Sequence, residues 1–185
     1  MEINTIERQL QEINDRQHIH DLAMRYCRAC DRADEDLLRT VFHQDAQLEY
    51  GTFDGDAPEF VKWVINHIQT GYTHGFHSIC NEYVVLDGDV ANGELYALIH
   101  NNAITEDGLV DSTLGGRYLD RYERRQGEWR IAHRQFVLDW VESGPPMENP
   151  SEGASDEDLL ARGKMSSKDA SYSMMPQEPR RALDW

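Results

Sequence analysis

The stretch Tyr26-Cys27-Arg28-Ala29-Cys30-Asp31-Arg32 closes an amphipathic pattern and carries a carboxylate, Asp31, near its end. Going back from it, Ile19, Leu22, Ala23, Tyr26, Cys27 and Cys30 recur close to the i, i+3, i+4, i+7 rule of a helix with one buried face. Glu12, Asp15, Arg16 and Arg25 fill the other faces. The spacing predicts a helix over residues 3–34 that buries its apolar stripe, Tyr26 included. At 3.6 residues per turn Asp31 lies about 100° from the stripe's centre. A bend or the helix end has to turn it inward. Going forward, the next chemically distinctive stretch is Thr73-His74-Gly75-Phe76-His77-Ser78-Ile79-Cys80-Asn81, which carries His77.

Between and beyond these stretches the period changes in an ordered way. Residues 35–43 read as a short helix burying Leu37, Leu38, Val41 and Phe42. Residues 46–53 alternate as a half-buried strand, with Leu48 and Tyr50 pointing the same way. Asp56-Ala57-Pro58-Glu59 opens another helix as a capping box with proline in the first turn, and Gly71 stops it. Strands then follow over roughly 74–87, 90–104, 109–124 and 128–140, joined at Asp87-Gly88-Asp89, Glu106-Asp107-Gly108 and Arg125-Gln126-Gly127. On the first, His77, Ile79, Asn81, Tyr83 and Val85 share a face. On the second, Tyr96, Leu98 and His100 do. On the last, Trp129, Ile131 and His133 alternate with Ala132, Arg134, Phe136, Leu138 and Trp140. Gly115-Gly116 marks a bulge where the sheet curls. Helices followed by a curling antiparallel meander predict an α+β half-barrel, a cone-shaped sheet wrapped around N-terminal helices and enclosing a pocket. The domain spans 1–144. Residues 145–185, rich in Ser, Pro, Glu, Asp and Met, read as an extended tail, with a short helix possible at Asp156–Arg162, docking on its own subunit or a neighbour.

The 185 residues fit one domain with a tail, and 39% apolar content suffices for one core. A net charge of −16 argues against nucleic acid or an anionic membrane as partner. No apolar run is long enough to cross a bilayer, and the N-terminus lacks a secretory signal. Three cysteines, an odd number, fit a reduced, cytoplasmic protein. Cys27-x-x-Cys30 has the spacing of redox and zinc motifs, but it falls inside a helix with no second pair, so packing is the expected role and no metal site is expected.

The motifs in order, Tyr26 to Arg32, Phe42-His43-Gln44-Asp45-Ala46, Phe53-Asp54-Gly55, His77-x-x-x-Asn81, Leu86-Asp87-Gly88-Asp89, Gly116-Arg117-Tyr118 and Tyr122-Glu123-Arg124-Arg125-x-Gly127-x-Trp129-Arg130-Ile131, resemble the SnoaL-like branch of the nuclear transport factor 2-like superfamily over about residues 5–141. The pattern is nearest to the group of scytalone dehydratase, bile acid 7α-dehydratase and hexachlorocyclohexane dehydrochlorinase. The resemblance implies that Asp31 orients His77, which acts as base. It implies that Tyr26 and Tyr50 hold a substrate carbonyl, that His100 is a second pocket histidine, that Arg134 lies over the pocket, and that Tyr118 and Phe136 line its wall. It implies a homo-oligomer assembled through the sheet, a trimer before a dimer. Fold alone does not fix the reaction.

These residue types suit one chemistry. Removing water or a halide β to an acidic C–H needs a base active near neutral pH, and imidazole, with an ordinary pKa of about 6.5, is that base. A buried carboxylate fixes its tautomer and stabilises the imidazolium. A tyrosine hydroxyl can hold the enolate, and arginine can hold a leaving group or carboxylate. The expected function is a cofactor-free lyase, foremost a dehydratase, acting on a small hydrophobic cyclic substrate. An isomerase using the same pair is the near variant. A non-catalytic small-molecule-binding or assembly module is the alternative from another class. Each residue also has a plain reading: Asp31 as a helix terminator, His77 and His100 as packing histidines, the tyrosines as wall, Arg134 as a surface ion-pair partner. The direction of Asp31 decides between the classes.

Overall fold

A computed structural model of the chain describes residues 2–146 and 163–175. The first helix, α1, spans Glu2–Arg32. Its apolar stripe from Ile19 to Cys30 is buried as the spacing predicts, whereas Ile6, Leu10 and Ile13 in its first half are exposed. Asp15 fastens α1 to the sheet: it accepts hydrogen bonds from Trp129 Nε1 at 2.8 Å and from Arg124 at 2.7 Å. The helix ends in a left-handed residue, Ala33 (φ 48°). Asp34 N–H donates to the Ala29 carbonyl and Ala33 N–H to the Cys30 carbonyl, the double bond pattern of a Schellman stop.

The second helix, α2, is only Glu35–Arg39, shorter than the sequence suggests, with Asp34 as its N-cap. Phe42 and His43 belong instead to strand β1, Phe42–Glu49. Tyr50 follows β1 rather than lying within it, and Gly51 (φ 75°) turns the chain into the short strand β2, Asp54–Asp56. Helix α3, Ala57–Gly71, is capped by the Asp56 side chain on Glu59 N–H, and buries Phe60, Val61, Val64, Ile65 and Ile68. Four long strands follow: β3 Tyr72–Asp87, β4 Val90–Thr105, β5 Gly108–Arg125 and β6 Glu128–Gly144. A single turn, α4, spans Ser171–Met174. The short helix suggested at 156–162 lies outside the described residues.

The sheet has six strands in the order β2-β1-β6-β5-β4-β3. It is mixed rather than wholly antiparallel, because β1 runs parallel to β6. The helices pack on its concave side, and the core lies between them. Register shifts curl the sheet, and those in the long strands change which residues face inward. An extra residue in β3 between Ile79 and Glu82 moves the inner face from Ile79 to Val84 and Leu86, leaving Tyr83 and Val85 exposed. An extra residue in β6 at Ala132 moves it from Trp129 and Ile131 to Arg134 and Phe136, so His133 faces outward to Glu49. The shift at Gly115/Gly116 comes where the glycines predict a curl, but its extra residue is Asp139 in β6, which turns Trp140 away from the face of Arg134 and Phe136. A Cβ on Gly116 would sit 2.6 Å from the Phe136 ring, so glycine there is what lets Phe136 lie across the inner face. Among the described residues no helix is long and apolar enough to cross a membrane.

Candidate active site

The last turn of α1 is enclosed nearly all round, with Ala29, Cys30 and Asp31 all under 10% exposed. That enclosure, and not the stripe's periodicity, puts the Asp31 carboxylate inside. It meets β3 at His77. The ring Nδ1 of His77 is 2.6 Å from Asp31 Oδ1, and the His77 backbone N–H donates to both carboxylate oxygens at 3.1 and 3.2 Å. An ionised carboxylate can only accept, so Nδ1 carries the proton in the neutral ring and the lone pair lies on Nε2. Nε2 makes no hydrogen bond among the described residues. The two side chains are 12% and 11% exposed.

Beside the dyad stands an aromatic wall. Tyr26 meets the His77 ring edge-on at 6.0 Å between centroids, and its hydroxyl lies 3.0 Å from that of Tyr50. Tyr118 packs against Tyr26 at 5.4 Å. Phe136 stacks on Tyr50 at 5.8 Å and touches Tyr118 at 5.2 Å. Burial pushes the Tyr50 phenol up to about 12, with Arg134 opposing. Burial likewise holds Tyr26 and Tyr118 well above the usual phenol range. All three hydroxyls therefore remain protonated donors across the neutral range.

Arg134 lies between the faces of Tyr26 and Tyr118, at 4.4 and 4.2 Å from their centroids. Asp120 grips it with two bonds of 2.6 Å, and Tyr122 donates to the same carboxylate at 2.7 Å. The arginine and aspartate side chains are 1% and 0% exposed. Burial works against the guanidinium charge, but Asp120 and the neighbouring tyrosines together hold it well above the usual range, so Arg134 stays cationic. Its remaining terminal nitrogen, Nη1, is buried without a hydrogen bond.

Asp31, His77, Tyr26, Tyr50, Tyr118, Arg134 and Phe136 thus gather on the concave side. His100 does not. Ile99, which pairs with His77, takes the inner position on β4, and strict alternation turns His100 to the convex face, where its Nδ1 meets Thr113 Oγ1 at 3.1 Å. The sequence reading also missed Asp120. Its position between Tyr118 and Tyr122 on an alternating strand was the available signal. Cys27 and Cys30 are buried packing residues, and burial pushes the Cys27 thiol up to about 12. Cys80 is exposed. Among the described residues no three His, Cys, Asp or Glu side chains converge as metal ligands.

The chain's similarities to known proteins follow the same fold. The SnoaL-like domain family pattern matches residues 11–135. No curated protein matches the sequence. Among solved structures, a type 2 hexachlorocyclohexane dehydrochlorinase (LinA) is 21% identical, with a TM-score of 0.71 over 79% of this chain and 99% of that one. The LinA-type3 enzyme of Novosphingobium barchaimii LL02 is 20% identical, with a TM-score of 0.69 over 75% and 96% of the two chains. A protein of Novosphingobium aromaticivorans DSM 12444 provisionally assigned as a scytalone dehydratase is 18% identical, with a TM-score of 0.64 over 74% and 91%.

Proposed function

We propose, for a chain that belongs to the SnoaL-like domain family, a cofactor-free elimination: loss of water or another β-leaving group from a small, hydrophobic, cyclic carbonyl compound. The observation that carries it is the 2.6 Å contact from Asp31 to His77 Nδ1, which leaves Nε2 as the base. The similarity to dehydrochlorinase and dehydratase structures agrees with this reading and stops at the fold.

Nε2 of neutral His77 takes a proton from the carbon next to the carbonyl, and the C–H electron pair flows into an enolate. Asp31 stabilises the imidazolium as it forms. Tyr26 and Tyr50 share one hydrogen bond, so one of the two phenolic protons is left to donate to the enolate oxygen. Collapse of the enolate forms the C=C bond and expels the β-substituent with its bonding pair. Where that group is hydroxide, the imidazolium returns its proton, water leaves, and His77 is neutral again. Where it is a halide, the proton goes to solvent. Arg134 is already neutralised by Asp120, so it offers an N–H within a net-neutral pair rather than a free positive charge. That favours uncharged oxygen acceptors over carboxylates.

The test is conversion of cyclic β-hydroxy ketones to conjugated enones, followed by absorbance. Wild type turns over, while His77→Ala and Asp31→Asn lose roughly 10²–10⁴-fold, the usual scale of a general base. Folded variants that keep their rate would sink the mechanism.

We also propose a homo-oligomer, a trimer before a dimer. Phe76, Tyr96, Leu98 and Trp140 are 58%, 42%, 42% and 48% exposed on the convex face, a cluster of apolar side chains suited to meeting another copy.

A further inference from the structure

The segment 163–175 belongs to neither the sheet nor the dyad, yet its contacts concentrate on the two elements that carry the dyad. Asp169, 7% exposed, organises the segment: its carboxylate accepts the Lys164 N–H at 2.9 Å, the Ser171 N–H at 3.0 Å and the Ser171 hydroxyl at 2.6 Å. The same carboxylate lies 3.3 Å from Arg32 Nε, an ion pair without hydrogen-bond geometry. Arg32 in turn donates to the Asp31 carbonyl at 3.1 Å. On either side of that link, Arg28 donates to Ser171 Oγ at 3.2 Å and lies over the Tyr172 ring at 4.8 Å, and Tyr172 donates to Asp34 at 2.6 Å. Residues 28, 32 and 34 bracket Asp31. Asp34 is also the residue that closes α1 and caps α2. On the other side, the Met165 methyl comes within 4.0 Å of where a Cβ on Gly75 would stand, two residues before His77. One short segment therefore touches both the end of α1 and the start of β3.

This placement has a physical purpose. The last turn of a helix frays most easily, since its carbonyls lack intrahelical partners. A carboxylate there faces the negative end of the helix dipole. A contact of 2.6 Å between Asp31 and His77 needs that turn held against β3 to within a few tenths of an ångström, and misplacing a reacting group is costly.

We infer that Asp169 is a positioning residue: through the folded 163–175 segment and Arg32 it holds the α1 terminus so that Asp31 keeps its bond to His77. The inference rests on the dyad reading above and assigns Asp169 no contact with substrate.

The experiment is proton NMR of the full-length protein with ¹⁵N-labelled histidine, following the Nδ1–H of His77, assigned by its loss in His77→Ala. Wild type gives a downfield, slowly exchanging proton. In Asp169→Asn, which preserves shape, that proton exchanges about tenfold or more faster, because local opening of the helix end becomes easier. Tyr172→Phe, which removes the bond to Asp34, shifts it the same way by less, and Asp169→Glu restores part of the protection. A role in general stability alone would lower the unfolding temperature and leave the His77 line unchanged. A wild-type line untouched by both Asp169→Asn and Tyr172→Phe overturns the positioning role and leaves the dyad standing. A wild-type spectrum without that proton overturns the dyad and the positioning role together.

Discussion

A carboxylate in the last turn of a helix sits where the macrodipole disfavours it, by about 0.3–1 kcal/mol. Asp31 stays there buried because His77 supplies both a backbone and a ring N–H. Tyr50 is the second informative residue. Its phenol is pushed up to about 12 by burial, so it remains a donor, and its hydroxyl lies 3.0 Å from that of Tyr26. Tyr50→Phe should slow turnover by more than it changes KM, because the bond to the enolate strengthens only as charge develops. An unchanged kcat would remove Tyr50 from the chemistry. Asp120→Ala should unfold far more readily, by about 3–5 kcal/mol in denaturant titration, since it leaves Arg134 charged and unpaired in the core. A loss under 1 kcal/mol would mean that water reaches Arg134. At this scale the sequence was legible where a residue's chemistry is distinctive, as with His77 and Arg134. It was silent where direction depends on a neighbouring element, as with His100.

Among the elements, α1 sets the site through how it ends. Ala33 occupies a left-handed conformation that glycine adopts without strain. Ala33→Gly should therefore stabilise the fold by about 0.5 kcal/mol, net of the extra freedom gained by the unfolded chain. Chemical denaturation measures it, and a clear loss of stability would mean that the Ala33 methyl packs better than the backbone is strained. The helices α1 and α3 and the four long strands could be read from period and capping residues. The faces of β3 and β6 could not, because one extra residue at Ile79/Glu82 and one at Ala132 each exchange inside for outside. Alternation carries no mark of such a residue; at Asp139, a third such position, the glycine flag lies on the neighbouring strand, at Gly115-Gly116.

The described residues form a curled sheet with helices in its concavity and a cluster of exposed apolar side chains on its convex face. The parallel pairing of β1 with β6 closes the curl, and sequence period cannot reveal it because pairing partners lie far apart in the chain. Leu98→Lys together with Tyr96→Lys should convert a trimer to monomer in light scattering after size exclusion. A wild-type protein that is monomeric at tens of micromolar would end the assembly proposal. The central claim is that the Asp31–His77 pair removes a proton from carbon. The most direct measurement is deuterium exchange at the carbon next to the carbonyl of 2-tetralone in D₂O, followed by proton NMR, which requires no knowledge of the natural leaving group. Wild type should accelerate exchange well above buffer, and Asp31→Asn and His77→Ala should lose roughly 10²–10⁴-fold of that acceleration. Exchange no faster than buffer in wild type, or retained in both variants, would contradict the account.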